Sequence, residues 1–145
     1  MFKPFVAALV LAVLAPVASA QGKPVMKPGL WEIVTVNQTP GSPTKRTITA
    51  RACYTAEDVS SLPRVLPQQR EFGMKCDLRD PKSEGTSATW RVACTGKDGS
   101  MSGPAKMSMA ADSYTAEADL EFKKPGAKPV KVAQKVSGKW IEACK

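Results

Sequence analysis

The chain has no histidine among its 145 residues. That absence removes the Ser-His-Asp and Cys-His nucleophile systems, the ordinary general base near neutral pH and the commonest metal ligand. Aromatic residues are sparse at 6%, and they are not interleaved with basic residues as a base-stacking surface for nucleic acid requires. Helical periodicity is nearly missing. Beyond the N-terminus no apolar run approaches the roughly 20 residues that a membrane-spanning helix needs. The four cysteines, Cys53, Cys76, Cys94 and Cys144, contain no closely spaced C-x-x-C pair, so the signatures of a zinc-thiolate site and of a dithiol redox site are both lacking. The expectation is a protein with no metal, no cofactor and no catalytic set.

What is present begins with an export signal. Lys3 gives a positive start, Phe5 to Val13 is unbroken apolar sequence, and Ala18-Ser19-Ala20 has the small-x-small form that a signal peptidase cuts after. Pro4 and Pro16 interrupt the stretch, which argues against a retained anchor. Residues 1–20 are therefore read as a cleaved signal peptide, and 21–145 as a single domain of the bacterial periplasm or the medium beyond it. Four cysteines in an oxidising compartment read as two disulfides. Residues 1–20 hold one of the 21 basic side chains and none of the 13 acidic ones, so the mature chain carries a net charge of +7. Such a balance points to anionic envelope components as partners, with no nucleic acid.

The mature sequence alternates apolar and polar residues between closely spaced turn signals, as antiparallel strands do. From Tyr114 to Phe122 every even position is apolar and every odd one polar, which places one face in a core and the other in water. Strands are also expected over Leu30 to Val36, Arg46 to Tyr54, Thr86 to Thr95, Met101 to Met109 and Val130 to Ile141. Pro104 marks the Met101 to Met109 segment as an edge strand or a bulge. Thr55 and Asp58 form a capping-box-like start to one short helix over Ala56 to Ser61, ended by Pro63. Leu62 to Gly73 reads as a long loop. The fold class is thus all-β, an antiparallel meander of about seven strands forming a small barrel or half-barrel, with barrel and sandwich not separable from pattern alone.

Cys76 and Cys94 are equidistant from Gly85 in the turn-like Ser83-Glu84-Gly85-Thr86. A hairpin there sets the two sulfurs on neighbouring strands within bonding reach. The remaining pair, Cys53 and Cys144, would tie the C-terminal strand to the second strand.

Pro28-Gly29-Leu30-Trp31-Glu32 resembles the opening of a bacterial family known as domain of unknown function 3617. The resemblance continues through Cys53-Tyr54-Thr55-Ala56-Glu57-Asp58, Cys76, Trp90, Cys94-Thr95-Gly96, Gly99-Ser100-Met101-Ser102-Gly103 and Ser137-Gly138-Lys139-Trp140-Ile141-Glu142-Ala143-Cys144. Trp140 departs from the polar residue expected at its position. The resemblance implies an exported, mostly β domain and brings no catalytic residues.

Four constellations are candidates for function. Trp31, Trp90 and Trp140, with Met101, Met107 and Met109, would line a cavity for a small apolar ligand if the sheet curls. Lys131, Lys135 and Lys139, with Lys123, Lys124 and Lys128, would form a face for an anionic partner; lysine also guards sheet edges. The same methionines offer soft thioethers to copper(I), although methionine more commonly fills cores. Glu117, Asp119 and Glu121 share one strand face, where carboxylates serve a hydrolase or simply meet solvent. A non-enzymatic ligand-binding or interaction module is the leading expectation. The alternatives are an envelope protein inhibitor or a binder of anionic polymer, with a copper binder or a hydrolase behind them.

Overall fold

Alternation on the scale of ten residues, broken by Gly, Pro and Asp, can be satisfied only by strands that return on themselves. The structure, a computed structural model, describes residues 25–61, 65 and 73–145. The elements run β1 (Gly29–Gln38), β2 (Lys45–Tyr54), α1 (Ala56–Val59), β3 (Lys75–Glu84), β4 (Ser87–Gly96), β5 (Gly99–Met109), β6 (Ser113–Lys123) and β7 (Val130–Glu142). All seven strands lie in one antiparallel sheet of order β2-β1-β7-β6-β5-β4-β3. The meander from β3 to β7 is thus extended by the β1–β2 hairpin, which joins at the β7 edge. Among the described residues there is one sheet and it stays open, with β2 and β3 as its edges, so the fold is a half-barrel and neither a closed barrel nor a sandwich.

The curled sheet has a wet face and a dry one. Inside lie Trp31 and Ile33 of β1, Ala88 and Trp90 of β4, and Met101, Ala105 and Met107 of β5. Tyr114, Ala116, Ala118 and Leu120 of β6 and Val136 of β7 complete the inner layer. Large and small residues alternate across the strands. Trp90 stands opposite Ala105, Met107 opposite Ala116, and Tyr114 opposite Gly138. This interdigitation lets one curved layer reach the density of an interior. Met26 before β1, Val59 of α1 and Val65 join the same core.

Two expectations about local structure are settled here. Thr55 and Asp58 do form a capping box: the Asp58 N–H donates to Thr55 Oγ1 at 3.2 Å and the Thr55 N–H to Asp58 Oδ2 at 2.9 Å. Pro104, by contrast, is neither on an edge nor in a bulge. It lies in the central strand β5 opposite Arg91, where the pairing to β6 lapses and resumes in unchanged register at Ala105↔Ala118. The missing proline N–H is thereby accommodated without a shift. The bulge occurs instead in β3, where Asp80 and Pro81 together oppose the single residue Trp90 between the pairs Arg79↔Arg91 and Lys82↔Thr89. Asp80 adopts φ 51° there, and a proline and a bulge on an outer strand discourage edge-to-edge association.

Both disulfides form as the cysteine spacing predicts. Cys76 and Cys94 are register partners on β3 and β4. Cys53 of β2 bonds Cys144 beyond the end of β7. Because β2 and β7 flank β1, that second bond crosses β1 at its Leu30 end.

Candidate functional site

The two ends of the half-barrel differ. At one end the aromatics close the interior. Trp31 is fully buried, with its ring centroid 5.7 Å from that of Tyr114 and 6.4 Å from that of Tyr54. Its indole N–H donates to the Lys27 carbonyl at 3.1 Å, and the Tyr54 hydroxyl donates to the Val65 carbonyl at 2.8 Å. Burial pushes both tyrosine hydroxyls above their usual pKa, Tyr114 furthest. The Tyr114 hydroxyl interacts with that of Tyr54, yet among the described residues it is the one buried side-chain polar atom that makes no close, well-aligned hydrogen bond.

Trp140 stands beside this cluster, opposite Trp31 in register. Its indole N–H donates to the Pro28 carbonyl at 3.1 Å, and the Lys27 ammonium lies 5.3 Å from the ring centroid, a cation–π contact. Gly29, at φ +145°, passes beneath that ring so closely that any Cβ would overlap the indole nitrogen. The N-terminal and C-terminal sequence motifs are therefore one interlocked structural unit at the packed end.

Among the described residues the opposite end is open. There a cavity of about 590 Å³ is walled by Met74, Met101, Leu120, Phe122, Val130 and Val132. Asn37, Gln38, Gln134, Arg46 and Asp98, with the hydroxyl residues Thr39, Ser42 and Thr44, give it a polar side. The Gln134 side-chain amide donates to Asn37 Oδ1 at 2.9 Å across the β7–β1 pair. Small-molecule sites combine an apolar lining with a few polar groups in roughly 300–1,000 Å³, and this cavity has both attributes.

The sequence candidates fall unevenly on this geometry. Of the six residues expected to line a ligand site, Met101 alone lines the cavity. Trp31, Trp90 and Met107 are packed in the core, Met109 is half-buried, and Trp140 belongs to the opposite end. Met101 and Met107 are six residues apart in β5, about 20 Å along an extended strand, so the thioethers do not converge as copper ligands. Among the described residues no group of three or more histidine, cysteine or acidic side chains could hold a metal ion.

Glu117, Asp119 and Glu121 project from the outer face of β6, where Glu117 and Glu121 meet lysines. Glu117 meets Lys106 at 3.1 Å and Lys135 at 3.8 Å, and Glu121 meets Lys123 at 3.1 Å. The hydrogen bond from Lys106, its charge, and then the charge of Lys135 hold the Glu117 carboxyl below the usual carboxylate range. A general acid needs the opposite shift. A shallow recess of about 450 Å³ beside them is lined by Asp80, Lys82, Arg91 and Lys106, with acids and bases interspersed.

The proposed anionic-partner face is also divided. Lys131 and Lys135 lie in register with Glu121 and Glu117 on the outer surface, whereas Lys123, Lys124 and Lys128 lie at the β6–β7 turn beside the cavity. Sequence reasoning missed Met74, Leu120, Phe122, Val130 and Val132 as a site. Met74 precedes β3, and each of the others sits at a position whose alternation is indistinguishable from that of ordinary core.

The model of one family, described as protein of unknown function (DUF3617), matches residues 26–144. The chain belongs to the DUF3617 family. No curated protein matches it, and no solved structure does. In this DUF3617 protein several of the motifs that carried the resemblance have structural roles. Pro28 to Glu32 and Ser137 to Cys144 build the packed end, Thr55 and Asp58 cap α1, and Cys76 and Cys94 staple β3 to β4. Two disulfides fit an exported protein. No helix among the described residues is long and apolar enough to cross a membrane, and the expected signal peptide lies outside the described residues.

Proposed function

We propose that this protein is a non-enzymatic binding module of the periplasm that holds a small apolar ligand in the open end of its half-barrel. The observation that carries this reading is the asymmetry between the ends. One is sealed by Trp31, Tyr54 and Tyr114, while the other leaves about 590 Å³ walled by aliphatic and thioether side chains. The outer-face carboxylates give catalysis little support, because Lys106 and Lys135 hold Glu117 below the usual carboxylate range and Glu121 is paired with Lys123. Binding of anionic polymer along β7 has less support, because Lys135 is engaged by Glu117. The periplasmic address rests on the Lys3 to Ala20 signal pattern together with the two disulfides.

The test is native mass spectrometry of protein purified from the periplasm without denaturation. A bound small molecule that is lost from a Val132→Trp variant, in which the indole fills the cavity, is the expected result. Natively purified protein that carries nothing, and that binds no apolar probe in titration, would refute the reading.

A further inference from the structure

Charge is divided between the two ends of the half-barrel. The antiparallel order brings the turns 39–44, 97–98 and 124–129, together with the start of β3, to the open end. Lys45, Lys75, Lys97, Lys124 and Lys128 stand there, all exposed. Among the described residues none of these five is in an ion pair. The acids described at this end are Asp98 and, further along the strands, Asp77 and Glu121, of which Glu121 is paired with Lys123. At the packed end the balance is reversed, and Glu57, Asp58, Glu84, Asp112 and Glu142 outnumber Lys27, Lys82 and Lys145. Val130 adds an apolar element to the cationic end. It follows Lys128 by two residues, is 43% exposed, and also lines the cavity.

We propose that the open end is a docking surface for an anionic lipid bilayer, held there by its lysine-bearing turns. Lysine is a point charge on a flexible stem with no directional fork, so lysines spread over several turns fit a surface of spread negative charge. Protein interfaces instead centre on tryptophan, tyrosine and arginine and are depleted in lysine. The turns 39–44, 97–98 and 124–129 contain none of those three anchor types. The division of charge also orients the approach, because an anionic surface attracts the open end and repels the packed one. Docking in this attitude turns Val130 and the apolar wall of the cavity toward the lipid. On the cavity reading, the mouth then opens against a source of apolar ligand; the docking itself rests on the lysines and stands without that reading.

The experiment is flotation of the full mature, oxidised protein with phosphatidylcholine vesicles and with vesicles that contain phosphatidylglycerol, across a salt series. The expected result is partition onto the phosphatidylglycerol vesicles alone, falling as salt rises. A Lys97→Gln, Lys124→Gln, Lys128→Gln variant is expected to lose partition on the order of a hundredfold, the scale of three lysines at a charged surface. Lys82→Gln, Lys139→Gln, Lys145→Gln removes the same charge away from the open end and should keep most of the binding. All six lysines are exposed, and melting curves that match the parent protein show that both variants fold. Equal partition onto the two lipids, or equal losses in the two variants, overturns the docking surface. So does indifference to all vesicles, whether or not the protein binds polyglutamate; polyglutamate binding that needs the open-end lysines would assign them to an acidic polypeptide instead. Vesicle binding is read with no ligand added, so the two readings fail separately. Protein that docks but carries no small molecule sinks the proposed function alone, and protein that carries a ligand but ignores vesicles sinks the docking alone.

Discussion

The Tyr114 ring occupies the space that a Cβ at Gly138 would fill, the two residues being register partners on β6 and β7. Glycine is needed at 138 for this approach, and the tyrosine in turn reaches Trp31. Gly138→Ala therefore overpacks the closed end. The expected cost is roughly 1–3 kcal/mol, as for other methyl groups forced into full cores. Urea unfolding of the oxidised protein reads this as a lower midpoint at unchanged slope.

The two tyrosine hydroxyls of this cluster make opposite predictions. Tyr54 donates to the Val65 carbonyl, so Tyr54→Phe leaves a buried acceptor without its partner and costs about 1 kcal/mol. Tyr114 has a buried hydroxyl that makes no close, well-aligned hydrogen bond. Tyr114→Phe removes a desolvated polar atom and loses only its weak contact with the Tyr54 hydroxyl, so stability is expected to hold or rise. Thermal unfolding of the two variants side by side checks the contrast, and a fall in Tyr114→Phe as large as that in Tyr54→Phe would contradict it.

Glu117 links strand pairing to pH. Its folded pKa lies below the ordinary value of 4.5 because Lys106 and then Lys135 favour the carboxylate. A depressed folded pKa gives a contribution that is present above the unfolded value and is lost as pH falls through the folded one. Glu117 is solvent-exposed, so the contribution is small and screened by salt. Glu117→Gln should lower the melting temperature slightly at neutral pH and low salt. The difference should vanish in acid and at high salt, as melting curves across a pH series would show.

Much of the fold was legible because alternation is a direct record of a strand with one wet face. The Tyr114 to Phe122 pattern matches the buried and exposed sides of β6 residue by residue as far as Leu120. Six strands follow from such runs, and the Cys76–Cys94 hairpin implies the seventh. Its own sequence signals little, since β3 is an edge strand, almost wholly exposed and bent at Asp80 and Pro81. Pro104 was misleading because sequence shows the missing donor but not that the neighbouring ladder has lapsed there. The site was the least legible part. Tryptophans draw attention as ligand contacts, yet here Trp31 and Trp140 serve to lock β1 against β7. Leu120 and Val132 wall a cavity because of where the curl of the sheet sets them relative to the other strands, and that property is absent from any local pattern.

The disulfides differ in what they hold, and their removal should differ accordingly. Cys76–Cys94 joins register partners 18 residues apart, in a hairpin whose turn and ladder already set the two strands side by side. Cys53–Cys144 spans 91 residues and crosses β1, clamping the β1–β2 hairpin to the last strand of the meander. Chain-entropy arguments put the contributions at about 3 kcal/mol for the short loop and about 4.5 kcal/mol for the long one. The structural consequence is larger than that difference. Without the long bond, β1 and β2 depend on pairing with β7 and on the Trp31 cluster alone to stay attached. Cys53→Ser with Cys144→Ser should therefore lower the unfolding midpoint more than Cys76→Ser with Cys94→Ser. Hydrogen exchange should also show faster opening confined to β1, β2 and the packed end, with the β4–β6 ladder still protected. Equal losses from the two pairs, or exchange that accelerates evenly across the sheet, would show that the clamp does not have this role.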